Sequence, residues 1–534
     1  RNGLHIRSIS NNLTYQLLSN HRVMVKRSAG ALLQSIEIDH DSPRTLSTQI
    51  TIAIRDIILV GGLPAGTRLP STRTLAKDLS VSRTTMVETF ERLVAEGLLV
   101  STTGSGTFVS DAVGTTRQYS APSADTEVTG IKRPYFPSLQ HREFLHRFGD
   151  SGDTAGQLNA FGERLPHQVR AFTTALPALD QFPLALWARR NSRHWRNPRD
   201  IVLGYGDPAG YPPLRRAITA HLKATHGISC EPEQLFVTNG AQQAFHFIAS
   251  VILQPGEKVW IENPGAIGAR NALLAAGAEL VPVGVDSEGI MVEQGINRAP
   301  NFRLAFVTPV HQQPMAVTMS LARRLALLEA AERANAWIIE DDFDGEFYYG
   351  SHRLPSLKSV DRSGRVFYVG TFSKTLFPAL RLGYFLVPES MVELFRTAIL
   401  AYVSGAPSNP QAVVADFMEE GHYATHIRRM RKIYLERYEV FLDCSRQRLD
   451  GLLDIEPTDA GLHTIGNLQC GLIDTDVAAR AEKQNITVTP IRRFCISDAD
   501  VNGLLLGFSG IDQSAIKAGV ATLARVLETQ ASRL

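Results

Sequence analysis

The chain has 534 residues, 44% of them hydrophobic and 20% charged, with a formal net charge of +2 at pH 7. It is too long for one ordinary hydrophobic core, so the composition predicts a soluble globular protein with two or more domains. The near-neutral charge neither supports nor excludes nucleic acid, because a local basic face can be hidden in a neutral total.

Cysteine spacing and hydropathy bear on metal sites, disulfides and membrane association. The four cysteines form no CxxC pair, and no apolar run approaches the roughly 18 residues that span a bilayer. We therefore expect no metal or disulfide framework, no membrane partner and a cytoplasmic location.

Residues 1–44 are predicted to be an N-terminal extension. The first part of it is polar and has no hydrophobic periodicity. Met24 is the first methionine, so residues 1–23 are a candidate non-native segment.

Residues 45–110 carry the pattern of a helix-turn-helix with a wing. Apolar residues recur at helical spacing over residues 46–60, and a short helical pattern and a second one at residues 82–95 follow. Residues 98–100 can then pair with residues 107–109 across a glycine-containing turn, which gives a hairpin.

The start of the second helix is the part of such a motif that meets the major groove of DNA. Here it holds Ser82, Arg83, Thr84 and Thr85. The Arg83 guanidinium can make two hydrogen bonds to guanine or phosphate. The hydroxyl groups suit phosphate, and Arg73 on the preceding helix could contact the DNA backbone. The alternative is a helical hairpin used for protein contacts, with Arg83 merely solvated.

Residues 111–170 lose this periodicity and are rich in Ser, Thr, Gly, Pro and charged side chains. We interpret them as a linker with one candidate short helix at residues 140–148. Over residues 171–534 strand-like runs alternate with helical patterns, which predicts an α/β domain with a largely parallel sheet and a smaller α+β segment at its end. The predicted strands of the sheet are residues 235–238, 258–261, 304–307, 337–340 and 366–369.

A lysine stands in a polar turn within the stretch VFYVGTFSKTLFPALRLGY, residues 366–384. Lys374, flanked by hydroxyls and followed by Arg381, suits a Schiff base to an aldehyde cofactor that carries a phosphate. The turn at residues 238–243 leads from a strand into a helix, so its free amides would cradle that phosphate, and Arg381 would clamp it. The ordinary alternatives are a simple strand–helix turn and a surface lysine.

Acidic residues close the predicted strand at residues 337–340. Either Asp341 or Asp342 could pair with a protonated pyridine nitrogen, the arrangement that pyridoxal phosphate uses. For Asp344 and Glu346 we favour the alternative of a solvated acidic loop.

Residues 69–109, LPSTRTLAKDLSVSRTTMVETFERLVAEGLLVSTTGSGTFV, resemble the winged helix-turn-helix of the GntR family over their whole length. The resemblance implies that Arg73, residues 83–85 and the wing glycine Gly104 contact operator DNA.

Residues 171–527 resemble fold-type I aminotransferases, and the whole chain resembles the MocR subfamily of GntR regulators, in which an aminotransferase-like domain serves as effector sensor. The matching stretches are LGYGDPAGYPPLRRAI, VTNGAQQAF, TPVHQQPMAVTMSLARRLALLEAA, IIEDDFDGEF and YVGTFSKTLFPALRLGY. The resemblance implies pyridoxal 5'-phosphate as cofactor, an amine or amino-acid effector and a head-to-tail homodimer.

The same resemblance gives individual residues a role. Lys374 is implied as the Schiff-base lysine and Asp341 as the partner of the pyridine nitrogen. Tyr205 would reach the phosphate bound by the partner subunit, and Gln312 or His311 would lie near the ring oxygen of the cofactor. The implied phosphate cup consists of Ala241, Gln242, Thr371, Ser373 and Arg381.

Three departures from the family pattern bear on catalysis. Phe343 replaces a tyrosine that donates to the ring oxygen, a loss of about 1 kcal/mol, and Ala266 replaces an aromatic ring that stacks on the cofactor, worth roughly 0.5–1.5 kcal/mol. Leu505 stands where aminotransferases hold the substrate carboxylate with an arginine. We therefore expect a regulator that binds pyridoxal phosphate without transaminating. The alternatives are a working enzyme with an accessory winged helix and a regulator that has lost the cofactor.

Overall fold

The computed structural model describes residues 33, 36, 38, 39, 42, 45–59, 62–102, 106–111, 169–196, 203–350, 355–497 and 499–532. The chain divides into two compact units, Arg1–Phe136 and Pro137–Leu534. Gly104, most of the predicted N-terminal extension, most of the predicted linker and the candidate helix at residues 140–148 lie outside the described residues. Among the helices that are described, none is both long enough and apolar enough to cross a membrane.

The described residues from Thr45 onward in the first unit form three helices and a hairpin. These are α1 (Leu46–Leu59), α2 (Thr72–Asp78), α3 (Arg83–Ala95), β1 (Leu99–Thr102) and β2 (Gly106–Val109). β1 and β2 pair antiparallel, with Leu99 opposite Val109. The predicted helix-turn-helix with a wing is confirmed.

Side-chain caps and an apolar face fix where α3 begins and how it lies. The Ser82 hydroxyl accepts a hydrogen bond from the Thr85 amide at 3.0 Å, which satisfies one of the amides that a helix start leaves unpaired. Met86, Phe90 and Leu93 are buried in the core of the unit. The opposite face of α3 is therefore left at the surface.

A large sheet of eight strands forms the centre of the second unit, in the order β3-β10-β9-β8-β7-β4-β5-β6. Its strands are β3 (Leu235–Thr238), β4 (Lys258–Asn263), β5 (Glu279–Asp286), β6 (Gly289–Ile290), β7 (Leu304–Val307), β8 (Trp337–Asp342), β9 (Val366–Thr371) and β10 (Gly383–Leu386). β4, β5, β7, β8 and β9 run parallel to their neighbours in that group, whereas β10 is antiparallel to both β3 and β9. The predicted, largely parallel sheet is confirmed.

Helices cover this sheet and lead to a smaller sheet at the end of the chain. The helices are α4 (Leu184–Arg196), α5 (Pro212–His226), α6 (Ala241–Ile252), α7 (Ile267–Ala275), α8 (Val292–Arg298), α9 (Leu321–Arg333), α10 (Leu357–Val360), α11 (Phe372–Thr375), α12 (Val392–Tyr402), α13 (Ser408–Glu419), α14 (His422–Arg448), α15 (Asp474–Lys483) and α16 (Gln513–Ala531). The smaller sheet is antiparallel, in the order β11-β12-β14-β13. Its strands are β11 (Leu453–Ile455), β12 (His463–Leu468), β13 (Thr489–Pro490) and β14 (Gly503–Gly507).

The ends of several neighbouring strands lie side by side at one end of the large sheet. Every residue of β3, β7 and β9 is buried, as expected for strands covered on both faces. Gly383, at the start of β10, lies opposite both Thr238 at the end of β3 and Thr371 at the end of β9. Asp342, at the end of β8, pairs with Gly370. In sheets of this kind ligands bind beyond the carboxyl ends of the parallel strands, so this edge is where a site is expected.

Candidate functional site

The first turn of α3 lies at the surface of the first unit. Ser82, Arg83 and Thr84 are exposed, and Thr85 is half-buried beneath the cap that Ser82 makes. Arg73 in α2 is also exposed. Of the residues predicted to contact DNA, only Gly104 lies outside the described part of the chain.

The arginines of this unit divide into paired and unpaired side chains. Arg55 forms an ion pair with Glu96 at 2.5 Å, and Arg92 forms one with Glu88 at 2.6 Å. Arg73 and Arg83 form no ion pair with any described residue. The cations of the two recognition positions therefore stay available for an anionic partner such as the DNA backbone.

Arg68 adds a cation that the sequence analysis missed. It forms a β-bridge with Phe108 of the wing, and a Cβ atom built on Gly106 would lie 3.0 Å from its Nε atom. The Arg68 side chain therefore lies against the wing. Only its place just before the resembling segment could have drawn attention to it, because the contact with the wing joins residues 40 positions apart.

A cradle for an anion forms where β3 leads into α6. Gly240 caps α6 with φ +95°, a backbone conformation that favours glycine, and the amides of Ala241 and Gln242 begin the helix. A Cβ atom on Gly383 would lie 2.9 Å from the Ala241 nitrogen, so glycine at that position keeps the amide accessible. A Cβ atom on Gly240 would lie 3.8 Å from the Arg381 guanidinium, which places that cation beside the cradle.

Lys374 follows β9 in the short helix α11. The Thr371 hydroxyl caps this helix by accepting from the Ser373 amide at 3.2 Å. Lys374 Nζ donates to the carbonyl oxygen of Ala175 at 2.8 Å. Ala175 has φ +63°, an uncommon backbone conformation for alanine.

The turn that carries Lys374 is supported by His426, which the sequence analysis missed. His426 Nε2 lies 3.1 Å from the carbonyl oxygen of Thr375. Burial lowers the pKa of His426 to about 4, so the ring is neutral near pH 7 and donates its Nε2 hydrogen to that carbonyl. A histidine 51 residues further along the chain gave no signal in the sequence.

Asp341 is a buried carboxyl group, and one of its two oxygens has no described hydrogen-bond partner. It is 5% exposed, and its Oδ1 atom accepts no hydrogen bond from a described residue. Burial first, and then the neighbouring Asp342, Asp344 and Glu262, raise its pKa well above the ordinary value, while Lys374 lowers it. A cationic donor beside Oδ1 would stabilise the charged form, and a protonated pyridine nitrogen is such a donor. The chemistry of Asp341 therefore fits pyridoxal phosphate.

Gln312 and His311 are the two candidates to contact the ring oxygen of the cofactor, and they differ in whether a side-chain nitrogen is without a described hydrogen-bond partner. Gln312 Nε2 donates to Glu262 Oε2 at 3.1 Å and to the carbonyl oxygen of Pro264 at 3.0 Å, and its Oε1 accepts from the Met315 amide. Burial raises the pKa of Glu262 to about 7, although hydrogen bonds from Thr308 and Gln312 lower it. His311 keeps its Nε2 atom buried and without a described hydrogen-bond partner. Of the two residues, His311 therefore has a side-chain nitrogen available to contact the cofactor's ring oxygen.

The expectation of a solvated acidic loop at Asp344 and Glu346 is wrong. Asp344 Oδ2 lies 2.9 Å from His311 Nδ1, and Glu346 Oε1 lies 2.5 Å from His221 Nε2. Both carboxylates are buried. The reason is that each has a histidine partner, the buried His311 and the half-buried His221, 33 and 125 residues away along the chain, which local sequence cannot show.

The position expected to hold an arginine in a transaminase is filled by an apolar cluster. Leu505 in β14 is 1% exposed and packs in one cluster with Ile267 of α7. The remaining buried members of this cluster are Ile465, Ile491 and Phe494. The Leu505 side chain itself has no hydrogen-bond donor for a carboxylate.

The other two residues that depart from the family pattern are buried, whereas Tyr205 is exposed. Phe343 and Ala266 are buried, and the Phe343 ring is nearly parallel to that of His463, with an interplanar angle of 8°. Tyr205 is 96% exposed, so within one subunit its ring makes little contact.

Comparison with known proteins agrees with this division into a winged helix and a second unit. Residues 46–109 match the model of bacterial regulatory proteins of the gntR family, and residues 177–460 match the model of aminotransferase class I and II. The chain is 37% identical over 487 residues to the probable rhizopine catabolism regulatory protein MocR of Rhizobium meliloti, with 91% of this chain and 94% of the relative covered. It is 33% identical to the transcriptional regulator TauR of Rhodobacter capsulatus, with 90% and 96% covered.

Solved structures similar to the second unit include aminotransferases. A kynurenine aminotransferase of Pyrococcus horikoshii, solved with PMP, has a TM-score of 0.65 at 25% identity and covers 74% of this chain and 99% of its own. The α-aminoadipate aminotransferase LysN of Thermus thermophilus, solved with N-(5'-phosphopyridoxyl)-L-leucine, also has a TM-score of 0.65 at 25% identity, with 73% and 98% covered.

The two units together define a class, a transcriptional regulator with a DNA-binding winged helix and an aminotransferase-like domain. The chain belongs to the MocR subfamily of the GntR family of bacterial regulators.

Proposed function

We propose that this regulator binds pyridoxal phosphate at Lys374 and senses the cofactor or an amine that competes with Lys374 for it. The observation that carries the proposal is the buried Asp341, whose unpaired oxygen suits a protonated pyridine nitrogen. The amides of Ala241 and Gln242 and the Arg381 guanidinium would hold the phosphate. Bound pyridoxal phosphate supplies an aldehyde that can be exchanged between amines.

The second unit acts as a sensor and not as an enzyme in this proposal. Transamination needs an amino acid held in one orientation, which a bidentate arginine provides through the substrate carboxylate. Leu505 and its apolar neighbours occupy that place. An amine could therefore react with the cofactor without being positioned for further chemistry.

A hydrogen bond connects Lys374 with the chain segment that follows the predicted linker. Lys374 Nζ contacts the carbonyl of Ala175, and Phe172 and Ala175 both have positive φ angles, 66° and 63°. A covalent link to Lys374 would remove this donor from Ala175. The segment has an uncommon backbone conformation, so its arrangement would respond, and the linker would carry the change towards the winged helix.

A head-to-tail homodimer belongs to the same proposal. The strongly exposed Tyr205 would reach the phosphate site of a second copy, as the family resemblance implies. DNA binding by residues 73 and 82–85 would then present two winged helices to the operator.

Absorbance spectroscopy tests the covalent role of Lys374. The wild-type chain mixed with pyridoxal phosphate should develop the visible band of a lysine-bound cofactor, and Lys374→Ala should show none. Lys223→Ala removes an exposed lysine of α5 and should keep the band. A band that persists in Lys374→Ala, or that is absent from the wild type, would overturn the proposal.

Half-transamination distinguishes the enzyme alternative. The wild-type chain loaded with cofactor is mixed with common amino acids, and release of the corresponding oxo acids is measured. Stoichiometric release at enzymatic rates would show that the apolar cluster at Leu505 does not prevent catalysis.

A further inference from the structure

A polar cavity lies between α15 and α16 of the small subdomain, and none of the residues of the candidate cofactor site line it. Its volume is about 530 Å³, and its lining comes from one face of each helix. The polar residues that line it are Arg480, Lys483, Gln484, Thr522, Arg525 and Thr529. The spacing of three and four residues along each helix places these side chains on the faces that meet.

The lining is cationic and contains no carboxylate. Arg480 is half-buried, whereas Lys483 and Arg525 are exposed. None of these three cations forms an ion pair with a residue that the structure describes. The neighbouring acidic residues Glu482 and Glu528 do not line the cavity.

Several other arginines of this unit are paired with carboxylates. Arg437 lies 3.0 Å from Asp180, Arg323 lies 2.9 Å from Asp286, and Arg431 lies 3.3 Å from Glu346. Three cations gathered without a counter-charge repel each other, and an anion between them relieves that repulsion.

The donors also suit the geometry of a phosphate. Arg525 Nη2 donates to the Thr522 hydroxyl at 3.1 Å, which holds the guanidinium at the cavity wall. Guanidinium groups bind phosphate oxygens in pairs, and lysine adds a point charge. The Thr522 hydroxyl and the Gln484 amide can donate further hydrogen bonds, whereas the Thr529 hydroxyl already donates to the Arg525 carbonyl at 2.6 Å.

We propose that this cavity binds a small organic phosphate, at a site separate from the cofactor's phosphate cradle. Its volume falls within the range of about 300–1,000 Å³ that is typical of small-molecule sites. A concave site between two helices favours a small ligand over the DNA backbone, which needs an extended basic surface. The regulator would then have two ligand sites, one reading an amine through Lys374 and one reading a phosphorylated metabolite.

Calorimetric titration of the full chain with inorganic pyrophosphate, with and without saturating pyridoxal phosphate, tests the proposal. We expect binding in both conditions and at least tenfold weaker binding in Arg480→Gln/Arg525→Gln. The matched control is Lys517→Gln/Arg448→Gln, which removes the same charge from exposed positions of α16 and α14 and should bind as the wild type does. Lys483→Gln, at an exposed position, should weaken binding severalfold and guards against a folding defect in the double variant.

Three outcomes would overturn the proposal. One is that pyrophosphate binding is absent from the wild type at millimolar concentration. Another is that pyridoxal phosphate, or Arg381→Gln, removes the binding, which would place it in the cofactor cradle. The third is that the double variant loses affinity for DNA of any sequence while pyrophosphate binding is unchanged, which would make the cavity part of a DNA-binding surface.

Discussion

The two units hold their functional residues in opposite ways. In the winged helix the residues predicted to face DNA at the start of α3 are adjacent in sequence and mostly exposed, and Arg83 forms no ion pair with a described residue. In the aminotransferase-like unit, Asp341 and Lys374 come from the ends of separate strands and are wholly or partly buried. A substitution in a surface site affects one side chain, whereas a substitution in a buried site also alters the packing of the residues around it. The replacement at Leu505, enclosed by apolar neighbours, is an example of the second kind.

The largest effect is expected when the arginine implied for aminotransferases is introduced at this position, in Leu505→Arg. The new charge would be enclosed by Ile267, Phe494 and the rest of the apolar cluster, and an unpaired buried charge costs several kcal/mol. Calorimetric unfolding of the full chain should show the transition of the larger unit at a clearly lower temperature. Leu505→Met, which conserves volume, should cost less than about 1.5 kcal/mol. A stable Leu505→Arg variant that transaminates amino acids would show that the substrate site is still formed.

The sequence predicted the elements of both units well, because their signals are local. The helix predicted at residues 82–95 is Arg83–Ala95, and the strands predicted at residues 235–238 and 304–307 have those bounds. The strand β5 was not predicted, although it pairs with β4 along its length. Each of the correct predictions rests on capping residues or on an unbroken apolar run.

The interior of the candidate site was less predictable, because it depends on contacts between distant residues. The Lys374 turn and the Gly240 turn were found from their residue types, and the structure brings both to the edge at Gly383. The burial of Asp344 against His311 could not be found in this way, since a carboxylate in a polar stretch is usually solvated. Nor does the sequence show that Leu505 packs against Ile267.

An intermediate effect is expected at the exposed site of the winged helix. Arg83→Ala should weaken binding to an operator selected from a random-sequence DNA pool by about 1–3 kcal/mol, because a fork onto a base or phosphate is lost. Arg92→Ala is the control, since Arg92 is already paired with Glu88 and should change affinity little. Gel-shift titrations at fixed salt measure both. Equal losses in the two variants would mean that only net charge matters, and no loss in Arg83→Ala would refute its role.

The smallest effect should come from restoring a hydroxyl in the cofactor cleft, in Phe343→Tyr. Phe343 is buried and keeps the aromatic ring of the family's tyrosine, so the change adds a donor without altering the packing of the ring. A hydrogen bond to the ring oxygen of pyridoxal phosphate is worth about 1 kcal/mol, which is roughly fivefold in affinity. Titration of the visible band with cofactor measures the change, and Phe347→Tyr, at another buried phenylalanine, should give no gain. Weaker binding in Phe343→Tyr would mean that the added hydroxyl finds no acceptor, and the cofactor ring would then lie elsewhere than beside Phe343.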